Sequence, residues 1–146
     1  MIVQDTRRGL QIAARALLDA GDAVWKEEPG FWGAYTAFES AVADVVPVPV
    51  DGSGLGVAGG MRRWPDARVA YVTPSRQFPL GSVMSLPRRP QLLDWAAERH
   101  AWIIEDDCDS EYRFAGELIA ALRGLDNADR VNLFRHLQQG DLAGPA

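Results

Sequence analysis

The sequence predicts a three-layer α/β/α domain built around a mostly parallel sheet. β-rich runs alternate along the chain with segments of helical periodicity that are roughly 10–15 residues long. This order is typical of parallel strands joined by crossover helices that cover both faces of the sheet. The 146 residues, 47% of them hydrophobic, are enough for one domain with a sizeable core.

The first half of the chain predicts two helices, a strand and an extended segment. Apolar residues recur at spacings of three and four from Thr6 to Asp19, which describes one face of an amphipathic helix. "AVWKE" (23–27) is typical of a short strand, and a second helical pattern covers residues 31–42. "VVPVPV" (45–50) predicts an edge segment, because proline cannot donate to a sheet ladder. The glycine-rich run 51–60 indicates a loop by its composition.

The second half continues the alternation of strands and helices. "ARVAYVTP" (67–74) predicts a strand that ends at proline, and residues 86–99 return to helical spacing. "AWIIE" (101–105) and "RVNLF" (130–134) predict the next two strands, and a loop containing "GLDNADR" (124–130) precedes the second of them.

Composition excludes several functional classes. The net charge is −5 and no stretch collects enough basic residues for a phosphate-binding patch, so we expect no nucleic-acid contact from this segment. No apolar run approaches the roughly 20 residues that cross a bilayer, and the start lacks the apolar segment of a signal peptide. We therefore expect a cytoplasmic protein without a membrane contact. The single cysteine, Cys108, cannot form an internal disulfide.

Three segments follow predicted strands at the edge where ligands bind in such sheets. They are the turn at 28–31, the turn "TPSRQFPLG" at 73–81, and the run "EDDCDSE" at 105–111. Ligands of open α/β sheets bind beyond the carboxyl ends of the strands. If the three strands are parallel neighbours, these segments converge on one crevice.

The run 105–111 holds five carboxylates, and its chemistry alone leaves alternatives open. Asp106 and Asp107 point in opposite directions on an extended chain, so all five acids cannot face one ligand. One or two carboxylates could bind magnesium, hold the protonated ring nitrogen of a cofactor, or simply be solvated or cap the next element. The aromatic residues of "PGFW" favour a flat heteroaromatic ring, on which an aromatic side chain can stack.

Longer motifs in these same segments carry a family resemblance. "LLDAGDAVWKEEPGFWGA", "TPSRQFPLGSVMSLPRRP" and "WIIEDDCDSEYRF" resemble the aminotransferase-like domain of MocR-type regulators in the GntR superfamily. That domain is related to the class I/II aminotransferases of fold type I, which use pyridoxal 5′-phosphate. The resemblance implies that residues 1–134 are a partial large domain, and that the full-length family forms homodimers.

The resemblance implies roles for individual residues. Asp106 matches the aspartate that pairs with the pyridine nitrogen, where a carboxylate keeps the ring protonated and a better electron sink. Phe31 matches the aromatic that stacks on the ring, and Phe78 with Pro79 matches the turn beside the ring's phenolic oxygen. Thr6 lies where the family binds the cofactor phosphate at a helix N-terminus.

Four positions depart from the family pattern. Asp5 stands where the family has glycine, and an acid there repels a phosphate. Arg7 replaces a glutamine and could partly compensate. Arg76 replaces a histidine. Cys108 replaces the tyrosine whose hydroxyl contacts the ring oxygen, and a thiol is a weak donor.

The lysine that forms a Schiff base with the cofactor has no counterpart in this sequence. The family continues after the strand 130–134 with "GTFSK", whereas this chain reads "RHLQQGDLAGPA", and its single lysine is Lys26. Permitted codons for residues 135–146, read one base later, give "GTFSKGTSPGL". We infer a one-base insertion after Phe134, which makes 135–146 an unrelated, frameshifted tail. No catalytic residue is then expected.

The sequence therefore predicts an incomplete cofactor-binding domain from a MocR-type transcriptional regulator, inactive alone. Its expected ligands are pyridoxal 5′-phosphate, bound weakly or not at all, and an amino compound. One alternative is a truncated free-standing class I/II aminotransferase. Another is a magnesium-dependent, receiver-like phosphotransfer domain that uses Asp106 and Asp107.

Overall fold

The computed structural model describes residues 2–3, 5–107 and 121–136, with side chains for 5–107 and 121–134. Its strands are β1 (Ile2–Val3), β2 (Ala23–Glu28), β3 (Asp44–Asp51), β4 (Gly54–Leu55), β5 (Val69–Val72), β6 (Trp102–Asp106) and β7 (Val131–His136). Its helices are α1 (Thr6–Leu17), α2 (Trp32–Glu39), α3 (Val57–Arg63), α4 (Arg88–Arg99) and α5 (Leu122–Leu125).

The described strands form one seven-stranded sheet in the order β1-β7-β6-β5-β2-β3-β4. Every neighbouring pair is parallel except β3 and β4, which are antiparallel. The predicted α/β class with a mostly parallel sheet is confirmed. β7 extends two residues beyond the predicted strand, and residues 137–146 of the predicted tail lie outside the described part of the chain.

Helices cover both faces of the sheet and create two apolar cores. Successive residues of β2 point to opposite faces, so Val24 packs in the core with α1 and α2, while Trp25 packs in the core with α3 and α4. Trp25 stacks on Trp95 with 3.9 Å between ring centroids. Its indole N–H donates to the Trp64 carbonyl at 3.0 Å, which satisfies the polar atom of a fully buried ring.

The first helix begins at a side-chain cap. Asp5 is the N-cap of α1, and its Oδ1 accepts the backbone N–H of Arg7 at 3.0 Å. Leu10 and Ala14 are completely buried, in agreement with the predicted apolar face. The helix ends at Leu17, two residues before the predicted end, because the backbone becomes extended at the next residue.

The predicted edge segment 45–50 lies in β3, which is the strand next to the edge of the described sheet rather than the edge itself, because β4 pairs with it. Val46 and Val48 are buried, whereas Pro47 and Pro49 are exposed. The Pro49 carbonyl accepts the N–H of Gly56 at 3.0 Å, so this residue bonds outward, away from β2. Only the two-residue strand β4 lies beyond β3 in the described sheet.

The glycine-rich run 51–60 is not the loop that its composition indicates, since it contains β4 and the start of α3. The reason is tertiary packing. A Cβ placed on Gly60 would lie 2.9 Å from the Trp25 ring, so glycine allows the helix to approach the sheet closely. Likewise, α5 includes the first residues of the predicted loop 124–130.

None of the helices in the described part of the chain is long and apolar enough to span a membrane.

The helix α4 begins two residues later than predicted and ends at Arg99. The next residue, the C-cap His100, has a left-handed conformation (φ 52°) that turns the chain into β6.

A pair of glycine substitutions in α3 tests this packing. Gly59→Ala should stabilise the protein by up to about 1 kcal/mol, because alanine is the better helix former and space is open there. Gly60→Ala should destabilise it, because the new methyl group meets a ring that is clamped against Trp95. Chemical denaturation of both variants measures the difference, and a Gly60→Ala variant as stable as Gly59→Ala would contradict this packing.

Candidate cofactor site

A cavity of about 240 Å³ lies at the carboxyl ends of the central strands. The first turn of α1 contributes Thr6 to its wall, the turn after β2 contributes Phe31, and the end of β6 contributes Asp106 and Asp107. The strand β5 and the turn that follows it supply the remainder of the wall. These residues are Tyr71, Thr73, Ser75, Arg76 and Phe78.

The sheet order explains why these segments meet. The strands β2, β5 and β6 are consecutive and parallel, so their carboxyl ends lie at the same edge. The predicted convergence of the turn 28–31, the turn 73–81 and the acidic run is therefore confirmed for the residues that the structure describes.

A buried carboxylate joins the first two turns. Glu27 at the end of β2 is 2% exposed and accepts two hydrogen bonds from Thr73, one from its hydroxyl at 2.6 Å and one from its backbone N–H at 3.1 Å. The side-chain amide of Gln77 donates to the same carboxylate at 3.2 Å. The turn after β5 is therefore anchored to the strand β2 by a buried carboxyl group.

Gln77 extends this connection to the residues around the cavity. Its amide N–H groups also reach the carbonyls of Pro29 and Phe78, both at 2.7 Å. Its side-chain oxygen accepts the N–H of Leu80 at 3.0 Å. One amide thus fixes the turn that carries Phe31 relative to the turn that carries Phe78.

Burial of Glu27 has an electrostatic consequence. Desolvation raises the pKa of this carboxyl above 4.5, and the hydrogen bonds from Thr73 and Gln77 and the charge of Lys26 oppose the shift. Because the folded pKa is raised, the folded state binds the proton more tightly than the unfolded chain. The contribution of Glu27 to stability therefore falls as the pH rises from about 4.5 through the raised pKa.

Asp106 is the carboxylate that a neighbouring strand orients toward the cavity. The hydroxyl of Tyr71 on β5 donates to its Oδ2 at 2.6 Å. Tyr71 is held in turn by the core, where its ring packs against Phe38 with centroids 6.1 Å apart. Asp106 is 9% exposed, so its carboxylate is largely withdrawn from solvent.

The two phenylalanine side chains form the aromatic part of the wall. Phe31 and Phe78 meet edge to face, with centroids 6.1 Å apart and planes at 88°. A Cβ on Gly33 would collide with the Phe31 ring, so the glycine in "PGFWGA" lets this ring lie against the start of α2. Phe78 is half exposed, which leaves a planar apolar surface accessible at the cavity.

The acids of the run 105–111 differ in role. Glu105 is completely buried and accepts the backbone N–H groups of Leu122 (2.9 Å) and Arg123 (3.0 Å), so it caps α5. Burial raises its pKa, although these two hydrogen bonds oppose the shift. The strand β6 ends at Asp106, and Asp106 and Asp107 both belong to the cavity wall.

The structure places the sequence-predicted site residues in three groups. Thr6, Phe31, Phe78 and Asp106 line the cavity together. Pro79 and Arg7 are exposed and are not among the described residues that line it, and the backbone N–H of Arg7 donates to Asp5. Cys108 lies outside the described residues.

Sequence reasoning missed Tyr71, because its place in a strand made it indistinguishable from a core residue by its pattern. Thr73 and Ser75 belong to the predicted turn 73–81 at the sheet edge, although no individual role was expected for either of them. Asp107 was expected only as a possible magnesium ligand, and it is part of the cavity wall. Within the described residues, no group of three or more His, Cys, Asp or Glu side chains could hold a metal ion.

Comparisons with known proteins identify relatives of two kinds. The chain is 45% identical to the probable rhizopine catabolism regulatory protein MocR of Rhizobium meliloti over 131 residues, which are 90% of this chain and 26% of that protein. It is 34% identical to the pyridoxine biosynthesis regulator PdxR of Corynebacterium glutamicum over 86% of this chain and 27% of that one. No protein-family model matches the chain.

Solved structures confirm the fold. The chain superimposes on a kynurenine aminotransferase from Pyrococcus horikoshii with a TM-score of 0.83 and 28% identity, over 90% of this chain and 34% of that one. The chain thus has the fold of a segment of the fold type I aminotransferases. Within that class, the chain is a homologue of the MocR-type regulators of the GntR superfamily, and it spans about a quarter of the length of the relatives it matches.

The hydrogen bond from Thr73 to Glu27 can be tested by an isosteric change. Thr73→Val removes the hydroxyl donor from a buried carboxylate, and should lower the free energy of unfolding by about 1–3 kcal/mol at neutral pH. The loss should shrink as the pH falls and Glu27 is protonated, because the hydroxyl stabilises the ionised form. Thr73→Ser keeps the donor and should follow the wild-type pH profile. A loss for Thr73→Val that is independent of pH would contradict the bond to a charged Glu27.

Proposed function

We propose that this chain is the ring-binding part of an aminotransferase-like sensor domain, in which the cavity receives the pyridine ring of a pyridoxal-type cofactor. The observation that carries the proposal is the position of Asp106. Its carboxylate is largely buried, is oriented by the Tyr71 hydroxyl, and shares the cavity with two phenylalanine rings. The names of the MocR and PdxR relatives support a role in regulation.

The residues present fit the ring of such a cofactor. A largely desolvated carboxylate is the expected partner of a protonated ring nitrogen, because the two charges attract strongly where water is excluded. Phe31 offers an aromatic surface on which a flat ring can stack. Thr73 and Ser75 also belong to this wall, and the Thr73 hydroxyl contributes indirectly, because its proton is donated to Glu27 and fixes the turn that carries Phe78.

The chain's own residues would therefore bind and orient a ring. Asp106 would hold the proton on the ring nitrogen, and Tyr71 would keep that carboxylate in place. When bound, the cofactor supplies an electron sink for chemistry at an amino group. The Glu27 network would keep Phe31 and Phe78 at fixed positions around it.

We also propose that the chain by itself does not catalyse transamination. Its single lysine, Lys26, is 5% exposed on β2, donates to the Glu27 carbonyl at 3.0 Å, and lies 3.6 Å from the Glu28 carboxylate. Lys26 is not part of the cavity wall. Transamination needs an amine both as a tether for the cofactor and as a base. Ligand sensing is the function that this arrangement supports.

Substitution of Asp106 tests the ring site. Asp106→Asn should weaken binding of pyridoxamine to the chain roughly tenfold to a hundredfold, because a charge-assisted hydrogen bond is lost. Asp66→Asn is the matched control, since Asp66 is exposed and lies next to Arg99 rather than the cavity. Isothermal titration calorimetry measures both. Equal affinity of Asp106→Asn and Asp66→Asn would show that Asp106 does not hold the ring.

Chemical trapping tests the role of Lys26. Treatment of the folded chain with pyridoxal 5′-phosphate and then borohydride should leave Lys26 unmodified, because its amine is buried and bonded. The same treatment in denaturant should modify it, which is the positive control. Peptide mass mapping distinguishes the two results. Stoichiometric modification of Lys26 in the folded chain would overturn the proposal that the chain is inactive.

A further inference from the structure

We propose that the cavity selects a cationic heteroaromatic ring without a phosphate ester, and that Asp5 is the residue that disfavours the phosphorylated form. This inference rests on the proposed function, because it concerns the ligand of the same cavity. It names the ligand class as an unphosphorylated pyridine-type amine, in contrast to the phosphorylated cofactor that the fold suggests.

Acidic residues outnumber basic ones in the described cavity wall. Asp106 and Asp107 both belong to the wall and are only 9% and 6% exposed, so water screens them little. Arg76 is the cation of the described cavity wall, and it is exposed, which weakens its influence. Two acidic residues against one exposed arginine make this wall more favourable to a cationic ring than to an anion. A phosphate ester would bring about −1.5 to −2 charges into the same space.

The start of α1 forms part of the cavity wall through Thr6. A helix N-terminus attracts phosphate because its first N–H groups lack partners and its dipole is positive there. Here the carboxylate of Asp5 already accepts the N–H of Arg7 at 3.0 Å. Asp5 thus occupies one of the donors that a phosphate would use, and its negative charge offsets the dipole.

The two arginines in the first turn of α1 are exposed to solvent. They are Arg7 and Arg8, whereas Thr6 is the residue of this helix that lines the cavity. Their charges therefore lie in solvent, where salt and water screen them, and they do not replace the donor that Asp5 has taken.

The cavity has room for one substituted ring. Its volume of about 240 Å³ is below the roughly 300–1,000 Å³ of sites for drug-sized ligands, and Phe31 and Phe78 both belong to its wall.

Two probes that differ only in the phosphate test this selectivity. Pyridoxamine and pyridoxamine 5′-phosphate are titrated into the 146-residue chain by calorimetry at low salt. The wild type should bind pyridoxamine more tightly than its phosphate. Asp5→Asn keeps the cap acceptor and removes the charge, so it should raise the affinity for the phosphorylated probe about threefold to tenfold and leave pyridoxamine unchanged. Asp66→Asn should alter neither affinity.

The outcomes separate the two proposals. If neither probe binds, the ring site itself is wrong and the proposed function fails. If pyridoxamine 5′-phosphate binds as tightly as pyridoxamine or more tightly, the ring site stands and the selectivity is overturned. If the wild type prefers pyridoxamine but Asp5→Asn leaves the ratio of affinities unchanged, Asp5 is not the discriminating residue.

Discussion

The buried carboxylate of Glu27 is the interaction on which the candidate site depends. It lies at the end of β2 and accepts both the backbone N–H and the hydroxyl of Thr73, while Gln77 donates to it and to the two turns that carry the phenylalanine rings. Two turns that are far apart in sequence thus become one rigid wall. A charge in this position is costly to bury, so the donors around it are needed for folding as much as for the site.

Neighbouring acids at the end of β6 show how position in the sheet determines role. Glu105 points to the side where α5 begins, and there its carboxylate caps two backbone N–H groups. Asp106 points to the opposite side, where Tyr71 of the adjacent strand orients it toward the cavity. One caps a helix and the other belongs to the cavity wall, although both lie at the end of the same strand.

The site lies in a fold that the chain shares with known proteins, but the start of α1 differs from an ordinary anion-binding helix N-terminus. The chain shares its fold with aminotransferases and its sequence with MocR-type regulators over most of its length. The free N–H groups at a helix N-terminus can bind an anion. At the start of α1, the carboxylate of Asp5 accepts one of them, the N–H of Arg7. This difference is the basis of the proposal that the cavity accepts a ring without a phosphate ester.

The amino-acid pattern by itself determined the α/β class, the order of the main strands and helices, and the edge of the sheet at which the cavity lies. These follow from hydrophobic periodicity and from the geometry of parallel strands, both of which are local or topological. Tertiary structure alone decided that Tyr71 orients Asp106, that Asp107 joins the cavity, that Glu105 caps α5, and that the run 51–60 contains a helix. The physical reason is that each of these depends on a partner distant in sequence, such as Trp25 for Gly60, and no spacing along the chain specifies which side chains the fold brings together.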